Sequence, residues 1–136
     1  MNKPLAPTGN SFPDGNPKGC PPDDVPYANC EVFRLVKNDP PTKEDFATLA
    51  EQNKINDKHE CECHGLSVFL ERDDADFYAS KYPYLGELIS KGSLSPSEGK
   101  LAPTPRKFKG IDNSHSTWWP FLGVDRHVFF TIVSGD

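Results

Sequence analysis

The feature that most constrains this chain is its supply of proline, because fourteen prolines among 136 residues interrupt helices and strand ladders wherever they fall. Ten glycines add further breaks, and apolar residues make up only 35% of the chain. Long periodic elements are therefore excluded over much of the sequence. We expect short elements joined by turns around an aromatic-rich core, and this length suffices for one such domain.

The first thirty residues differ in composition from the rest of the chain. They contain seven of the fourteen prolines and lack apolar periodicity, which is typical of a segment without regular structure. We therefore predict an irregular, Pro/Gly-rich N-terminal arm over residues 1–30 and a single domain over residues 31–136. The part of the arm that follows Cys20 is expected to be fastened to the domain.

The first strand is predicted over residues 31–37, where β-branched and aromatic residues are dense. Alternation places Arg34 on the same face as Val32 and Val36. A guanidinium between two valines must reach solvent, pair with a carboxylate, or hold an anion in a cleft. Arg34 is therefore either a structural ion-pair partner or a ligand-binding residue.

Further elements are predicted from periodicity and from capping signals. Helices are expected over residues 43–53, from Asp73 onward and over residues 84–92, and strands over residues 65–70, 100–104 and 127–133. The last strand is nearly continuous in apolar residues, which favours the centre of a sheet. The order of elements predicts an α+β fold, with a small mixed or antiparallel sheet and two or three short helices on one side.

The charge of the chain limits its partners. The net charge of −5 disfavours binding to nucleic acid or to an anionic membrane. No stretch has the run of about 20 apolar residues that a membrane span needs, and the N-terminus lacks the apolar run of a secretory signal. We therefore expect a cytoplasmic protein, in which structural disulfides are uncommon.

The cysteines lie in the arm and in the segment His59-Glu-Cys-Glu-Cys-His64. Thiolates and imidazoles are the ligands that zinc prefers, so one interpretation is a zinc site that joins the two regions. Its ligands would be Cys20, Cys30, Cys61 and Cys63, with His59 or His64 as substitutes. Two alternatives remain open, a disulfide between arm and domain and cysteines that stay free.

The segment Ser114–Phe121 concentrates one imidazole, three hydroxyls and both tryptophans of the chain. We predict a loop there that serves either as a core plug or as the wall of a ligand site. Its candidate ligand-binding residues are Ser114, His115, Ser116, Thr117, Trp118 and Trp119. Together with Arg34 they would provide a cation, hydroxyls and an aromatic face for a small anionic ligand.

A short basic segment precedes these residues. Lys100, Arg106, Lys107 and Lys109 lie within ten residues of an otherwise acidic chain, and arginine binds phosphate or carboxylate in a bidentate manner. Arg106 and Lys107 are therefore further ligand-binding candidates, although such a run is also typical of a solvated loop. These features favour a small binding module that engages a protein partner or a small anionic ligand.

Four blocks of the sequence carry a resemblance: Phe33-Arg-Leu-Val36, the segment 40–46, Gly65-Leu-Ser-Val-Phe69 and Ser114-His-Ser-Thr-Trp118. In this order they resemble blocks of small uncharacterised bacterial proteins, and no activity comes with that likeness.

A second, looser resemblance concerns function. A strand-borne arginine followed by a hydroxyl-rich block is similar to ADP-ribosyltransferases, in which such positions hold NAD, and Arg34 and Ser116-Thr117 match that pattern. No glutamate follows Thr117, whereas those enzymes carry a catalytic one there. The resemblance implies an NAD-dependent enzyme as an alternative function. A third hypothesis, independent of the resemblance, is a zinc-stabilised interaction protein of toxin–immunity type.

Overall fold

A computed structural model describes residues 11–107 and 110–133. Its strands are β1 (Cys30–Val36), β2 (Leu66–Phe69), β3 (Leu88–Leu94), β4 (Gly99–Pro103), β5 (His115–Pro120) and β6 (Phe130–Ile132). They form one antiparallel sheet in the order β4-β5-β2-β1-β3-β6. The helices are α1 (Glu60–Cys63) and α2 (Arg72–Lys81). The α+β fold with an antiparallel sheet is therefore confirmed.

Short 3₁₀ turns connect these elements. In the described part of the chain they cover Lys43–Phe46, Asp57–His59, Pro83–Leu85, Pro96–Glu98 and Arg126–Phe129. No helix in the described residues has the length and apolar character needed to cross a bilayer.

The sheet has an apolar layer on each face, as the alternation of β1 predicts. One layer contains Val32 and Val36 together with Trp118, Phe130 and Phe46, the last contributed by the Lys43–Phe46 turn. The other layer contains Leu35, Phe69, Ala75 and Ile89. Helix α2 packs on this second face, while the Lys43–Phe46 turn covers the first, so the two faces are closed by different kinds of element.

Helix α2 begins where the sequence indicates. Asp73 and Asp74 lie in its first turn, where carboxylates are favoured by the positive end of the helix. Asp74 also accepts a hydrogen bond of 2.9 Å from the backbone N–H of Ser114, which fixes the helix against the start of β5. The helix ends before Pro83, which lacks the N–H needed to continue it.

The predicted helix over residues 43–53 is wrong, because Lys43–Phe46 forms a short 3₁₀ turn and residues 49–53 form separate turns rather than a continuous helix. The capping box of Thr42 and Asp45 is present, but a second local motif follows immediately. The backbone N–H of Thr48 donates to Glu51 at 2.8 Å, and that of Glu51 donates to the Thr48 hydroxyl at 3.0 Å. Such side-chain bonds offer the backbone an alternative to the helix, and here the alternative prevails.

The predicted helix over residues 84–92 is also wrong, since its first residues belong to the Pro83–Leu85 turn and residues 88–92 belong to β3, which pairs with β1 along its whole length. Gly86 precedes the strand with φ of +135°, and a Cβ there would lie 2.8 Å from the carbonyl oxygen of Val36. Only glycine tolerates that conformation and that close approach. Pairing with a long neighbour therefore overrides the helical spacing of the apolar residues.

The strand predicted over residues 127–133 at the sheet centre is the third error. Residues Arg126–Phe129 form a turn, and β6 is a three-residue strand at the sheet edge. Arg126 holds this turn by donating to the Phe46 carbonyl at 2.7 Å and to the Glu51 carboxylate at 2.8 Å. The guanidinium thus keeps the first part of the apolar run out of the ladder.

Residues 26–28, at the end of the arm, run along the outer edge of β4. Ala28 donates to the Gly99 carbonyl at 2.9 Å, and Leu101 donates to that of Pro26 at 3.1 Å. The strand predicted over residues 100–104 is confirmed as this edge strand, β4. A disulfide between Cys20 and Cys61 joins the arm to α1, and the arm thereby covers an edge that would otherwise be free to pair.

Candidate functional site

The segment predicted as an aromatic loop is strand β5, and all six of its residues are buried. The indole N–H of Trp118 donates to the Glu98 carbonyl at 2.9 Å, and that of Trp119 donates to the Cys61 carbonyl at the same distance. Both tryptophans are core residues with satisfied polar groups. The prediction that Trp118 and Trp119 form an accessible ligand wall is therefore wrong.

The hydroxyls of this segment are also used internally. Ser114 accepts from the backbone N–H of Glu71 at 3.0 Å and so helps to fix the start of α2. Ser116 is buried and donates to the Ser114 carbonyl at 3.2 Å. Thr117, also buried, lies 2.8 Å from the Thr104 hydroxyl. A NAD pocket built from Arg34, Ser116 and Thr117 gains no support from this arrangement.

His115 is the chemically distinctive residue of β5. Only 5% of it is exposed, yet both ring nitrogens have partners. Nδ1 lies 2.8 Å from the carbonyl oxygen of Thr104, and Nε2 lies 2.9 Å from the Ser67 hydroxyl. A carbonyl oxygen only accepts, so Nδ1 carries the hydrogen and Nε2 accepts from Ser67.

Burial keeps this imidazole neutral. Burial and, to a smaller extent, the positive charge of Arg106 together lower the pKa of His115 to about 4, while the Thr104 carbonyl and Glu62 oppose the change. Arg106 and Glu62 form a salt bridge with each other. At pH 7 the ring is therefore a hydrogen-bond acceptor at Nε2, with an ion pair nearby.

Ser67 is the residue that sequence reasoning missed. It is exposed in a strand whose other three residues are buried, and it stands opposite Thr117 of β5. The available signal was a single hydroxyl within the apolar run Leu66-Ser-Val-Phe69. Pairing of β2 with β5 brings that hydroxyl to an imidazole 48 positions away.

Arg34 contacts Ser67 as well, but through the backbone. Its Nη1 donates to the Ser67 carbonyl at 2.7 Å, and Nε and Nη2 donate to the Asp45 carbonyl at 3.0 and 2.8 Å. The guanidinium lies over the Phe46 ring. It therefore belongs to the sheet face opposite His115, which packs against Phe69. The two side chains line no common site.

Arg34 thus acts as a clamp between β2 and the Lys43–Phe46 turn. Burial lowers the pKa of its guanidinium to about 10, with Asp45 opposing and Arg126 reinforcing the change, so the group stays charged at pH 7. Arg34→Lys is expected to lower the free energy of unfolding by about 1–2 kcal/mol, because one ammonium cannot span both carbonyls. Urea unfolding measures this difference, and equal midpoints for the two proteins would contradict the clamp.

The residues of the basic segment have different environments in the structure. Arg106 pairs with Glu62 and also donates to the Thr104 carbonyl at 3.1 Å. Lys107 is exposed, and Lys109 lies outside the described residues. Lys100 lies over the ring of Tyr27 in the arm. The guanidinium predicted to bind an anion is therefore engaged by a carboxylate of the same chain.

The cysteines adopt one of the arrangements left open by the sequence, the disulfide between arm and domain. Cys61 and Cys63 lie on the helical turn α1 rather than on an extended segment. Cys63 is buried, and Cys30 is exposed at the start of β1. Within residues 11–107 and 110–133 no group of three or more His, Cys, Asp or Glu side chains could hold a metal ion. Cys20 and Cys61 are not available as zinc ligands while they are joined.

Three consecutive residues of the chain, Pro83, Tyr84 and Leu85, are apolar or aromatic and exposed. Tyr84 is 71% exposed and Leu85 45% exposed, and Pro83 beside them is exposed too. An open cleft of about 490 Å³ adjoins them. It is lined by Lys37, Pro83, Tyr84, Glu87 and Leu88. We refer to Pro83, Tyr84, Leu85 and this cleft as the Tyr84 surface. The sequence did not indicate this surface, because residues 84–92 were predicted to form a helix.

A second cleft, of about 330 Å³, lies between the Lys43–Phe46 and Arg126–Phe129 turns. Its charged lining consists of Lys43, Glu51, Asp125 and Arg126, with His127 beside them. Arg126 binds the Glu51 carboxylate with both terminal nitrogens, at 2.8 and 3.0 Å. The buried Nδ1 of His127 has no hydrogen-bond partner within the described residues, which distinguishes this cleft chemically.

We refer to this second cleft as the Arg126 cleft. Three features of the described residues are therefore candidate functional sites: the His115–Ser67 pair, the Tyr84 surface and the Arg126 cleft. No family model matches the chain, and neither does any curated protein or solved structure.

Proposed function

We propose that this protein is an interaction module that engages a protein partner through the Tyr84 surface. The observation that carries the proposal is the 71% exposure of Tyr84 between two further exposed apolar residues, Pro83 and Leu85. Tyrosine buries a large area on contact at a low cost in conformational entropy, and it is enriched at the energetic centres of interfaces. A contiguous exposed apolar patch is itself typical of an interaction site.

Tyr84 is held by neighbours that limit its freedom. Its ring lies 6.2 Å from that of Tyr82, which lies 5.3 Å from Tyr78, and Tyr78 in turn lies 5.0 Å from the buried Phe69. Aromatic contacts at such separations are favourable. This chain of rings connects the surface to the core, so little ordering would be needed on binding.

The cleft beside Tyr84 has the composition expected of an interface. Leu88 and Pro83 supply apolar contact, while Lys37 and Glu87 place one charge of each sign in the lining. An apolar centre with a charged rim is the usual anatomy of a protein–protein contact. The surface therefore suits an apolar or aromatic side chain of the partner, flanked by polar groups.

Affinity capture from cell extract followed by titration tests the proposal. The variant Tyr84→Ala/Leu85→Ala is expected to lose a partner that the unaltered protein retains, with at least a tenfold rise in Kd because two central contacts are removed. Ile111→Ala is the matched control, since Ile111 is 72% exposed but lies outside this surface. A partner bound equally by all three proteins would contradict the proposal.

A second candidate function, binding of a small anionic ligand, is favoured by the Arg126 cleft. Lys43 contributes an ammonium group to its lining, and the unpartnered Nδ1 of His127 is a polar atom whose hydrogen-bonding need is unmet. Calorimetric titration with inorganic phosphate tests this candidate. A binding heat that Lys43→Ala weakens would support it, and the absence of heat with the unaltered protein would remove it.

A further inference from the structure

We infer that Ser67 is a nucleophile that accepts acyl groups from carboxylic esters, with His115 as its general base and the Thr104 carbonyl as the group that orients the imidazole. The inference goes beyond the proposed interaction function and rests on different residues. A nucleophile, a base and an orienting group in mutual hydrogen-bond contact form the arrangement on which serine-dependent acyl transfer is built.

The separation between nucleophile and base is productive. Ser67 Oγ lies 2.9 Å from His115 Nε2, within the range of 2.6–3.2 Å over which a base removes a hydroxyl proton. The pair is formed between regular strands, since Ser67 belongs to β2 and His115 to β5. Groups on paired strands are held more firmly than groups on loops.

The third group fixes the direction of proton transfer. Nδ1 of His115 lies 2.8 Å from the Thr104 carbonyl oxygen and 3.0 Å from the Thr104 hydroxyl; because the carbonyl oxygen can only accept, we assign the hydrogen to Nδ1. The lone pair of Nε2 is then directed at Ser67. In serine hydrolases this orienting role falls to a carboxylate, whereas here a backbone carbonyl holds the tautomer without adding a negative charge.

The nucleophile Ser67 and the base His115 differ in exposure, as nucleophilic catalysis requires. Ser67 is an exposed residue, so the proposed substrate would approach it from solvent, while His115 is buried beside it. The charged groups that affect His115 are Arg106 and Glu62, which are paired with each other. Burial keeps the pKa of His115 near 4, so the base stays unprotonated well below neutral pH, although a base of low pKa is also a weak one.

The reaction conserves atoms and protons at each step. Ser67 Oγ forms a bond to the carbonyl carbon of the ester while its proton passes to His115 Nε2. The bond between that carbon and the leaving alcohol oxygen then breaks, and Nε2 returns the proton to the alcohol. Water attacks the acyl-serine in the same manner, releasing the carboxylic acid and restoring Ser67.

Neither of the two clefts described above includes Ser67. Ser67 is itself an exposed residue, and we take the substrate to dock on that exposed surface, which favours small acyl groups such as acetyl over long acyl chains that need an apolar tunnel. The leaving alcohol is unrestricted in size for the same reason. An acetyl ester of any accessible alcohol is thus the substrate class.

A fluorophosphonate probe with detection by peptide mass spectrometry tests the inference on the unaltered chain. Its phosphorus forms a bond to Oγ as fluoride leaves with the serine proton, and the adduct is stable. Ser93 is an internal reference, because it is exposed on β3 and no imidazole is described in contact with it. Ser67 is expected to be labelled at least 100-fold faster than Ser93, the lower range for general-base assistance. Similar rates at the two serines would overturn the inference.

Variants and pH supply independent readouts. Ser67→Ala should abolish the adduct and the release of nitrophenol from p-nitrophenyl acetate, whereas Ser93→Ala should change neither. His115→Gln should slow labelling at Ser67 about 100-fold, with circular dichroism confirming that the variant is folded. In the unaltered protein the labelling rate should stay level from pH 7.5 down to pH 5. A decline centred near pH 6.5 would mean that an exposed imidazole is responsible and would overturn the assignment of His115.

Discussion

Replacing Cys20 and Cys61 together with serine is expected to lower the free energy of unfolding by about 4 kcal/mol. The disulfide closes a loop with a sequence separation of 41, and a cross-link across a loop of that length removes about 13 cal/mol/K of chain entropy from the unfolded state. Urea unfolding followed by tryptophan fluorescence measures the loss, because both tryptophans are buried. Reduction of the unaltered protein should lower the midpoint to the same concentration.

The loss should begin at the arm. Without the cross-link, the contacts of Pro26 and Ala28 with β4 lose the covalent tie of the arm to α1, so amide exchange at Ala28 and Leu101 should accelerate first. Cys30→Ser is the matched control, since Cys30 is exposed and unpaired, and it should change stability by less than about 0.5 kcal/mol. A double variant as stable as that control would contradict a structural role for the disulfide.

Acidification from pH 6.5 to pH 4 is expected to cost about 3 kcal/mol of stability through His115 alone. Its pKa is about 4 in the folded protein and about 6.5 in an unfolded chain. Between these values the unfolded chain binds a proton that the folded protein does not, so stability falls as the pH falls. At pH values more than about one unit above 6.5 both states are neutral at this residue, and no dependence is expected there.

His115→Gln should remove most of this slope, because the amide has no proton to bind in the window. Asp45 and Glu51 affect stability at lower pH than His115 does. Hydrogen bonds in the folded state lower the pKa of each carboxyl despite burial. Their contribution to stability is therefore lost only as the pH falls through and below the ordinary carboxyl range. Urea midpoints measured at half-unit pH steps separate the two effects. An unchanged slope between pH 6.5 and pH 4 in the variant would contradict the burial argument.

Local patterns were sufficient for part of the fold. Alternation in residues 31–37 predicts β1, the acidic pair Asp73 and Asp74 predicts α2, and the hydrophobic run after Gly65 predicts β2. Each of these signals acts within a few residues and is not opposed by any long-range contact. The errors over residues 84–92 and 127–133 occur where a distant partner decides, namely β1 in the first case and Phe46 and Glu51, through Arg126, in the second. The error over residues 43–53 has a local cause, the side-chain bonds between Thr48 and Glu51.

For the candidate sites, too, the sequence identified some residues but not their partners. His115 was recognisable as an unusual residue, but its role depends on Ser67 and Thr104, which lie 48 and 11 positions away. Arg34 was recognisable as a charge on an apolar strand face, but only the packing of the Lys43–Phe46 turn shows that it binds carbonyls rather than a ligand. The exposure of Tyr84 has no local signal, because the same residues would be half-buried in a helix.

By itself the sequence determined which residues are apolar, where the chain can turn and which side chains carry chemistry, because these properties belong to single residues and their near neighbours. Only the tertiary structure decided that both tryptophans are enclosed, that Cys20 meets Cys61, and that Ser67 meets His115. Those outcomes depend on strand order and register. Register follows from the summed packing of the whole sheet, which no segment of the chain contains alone.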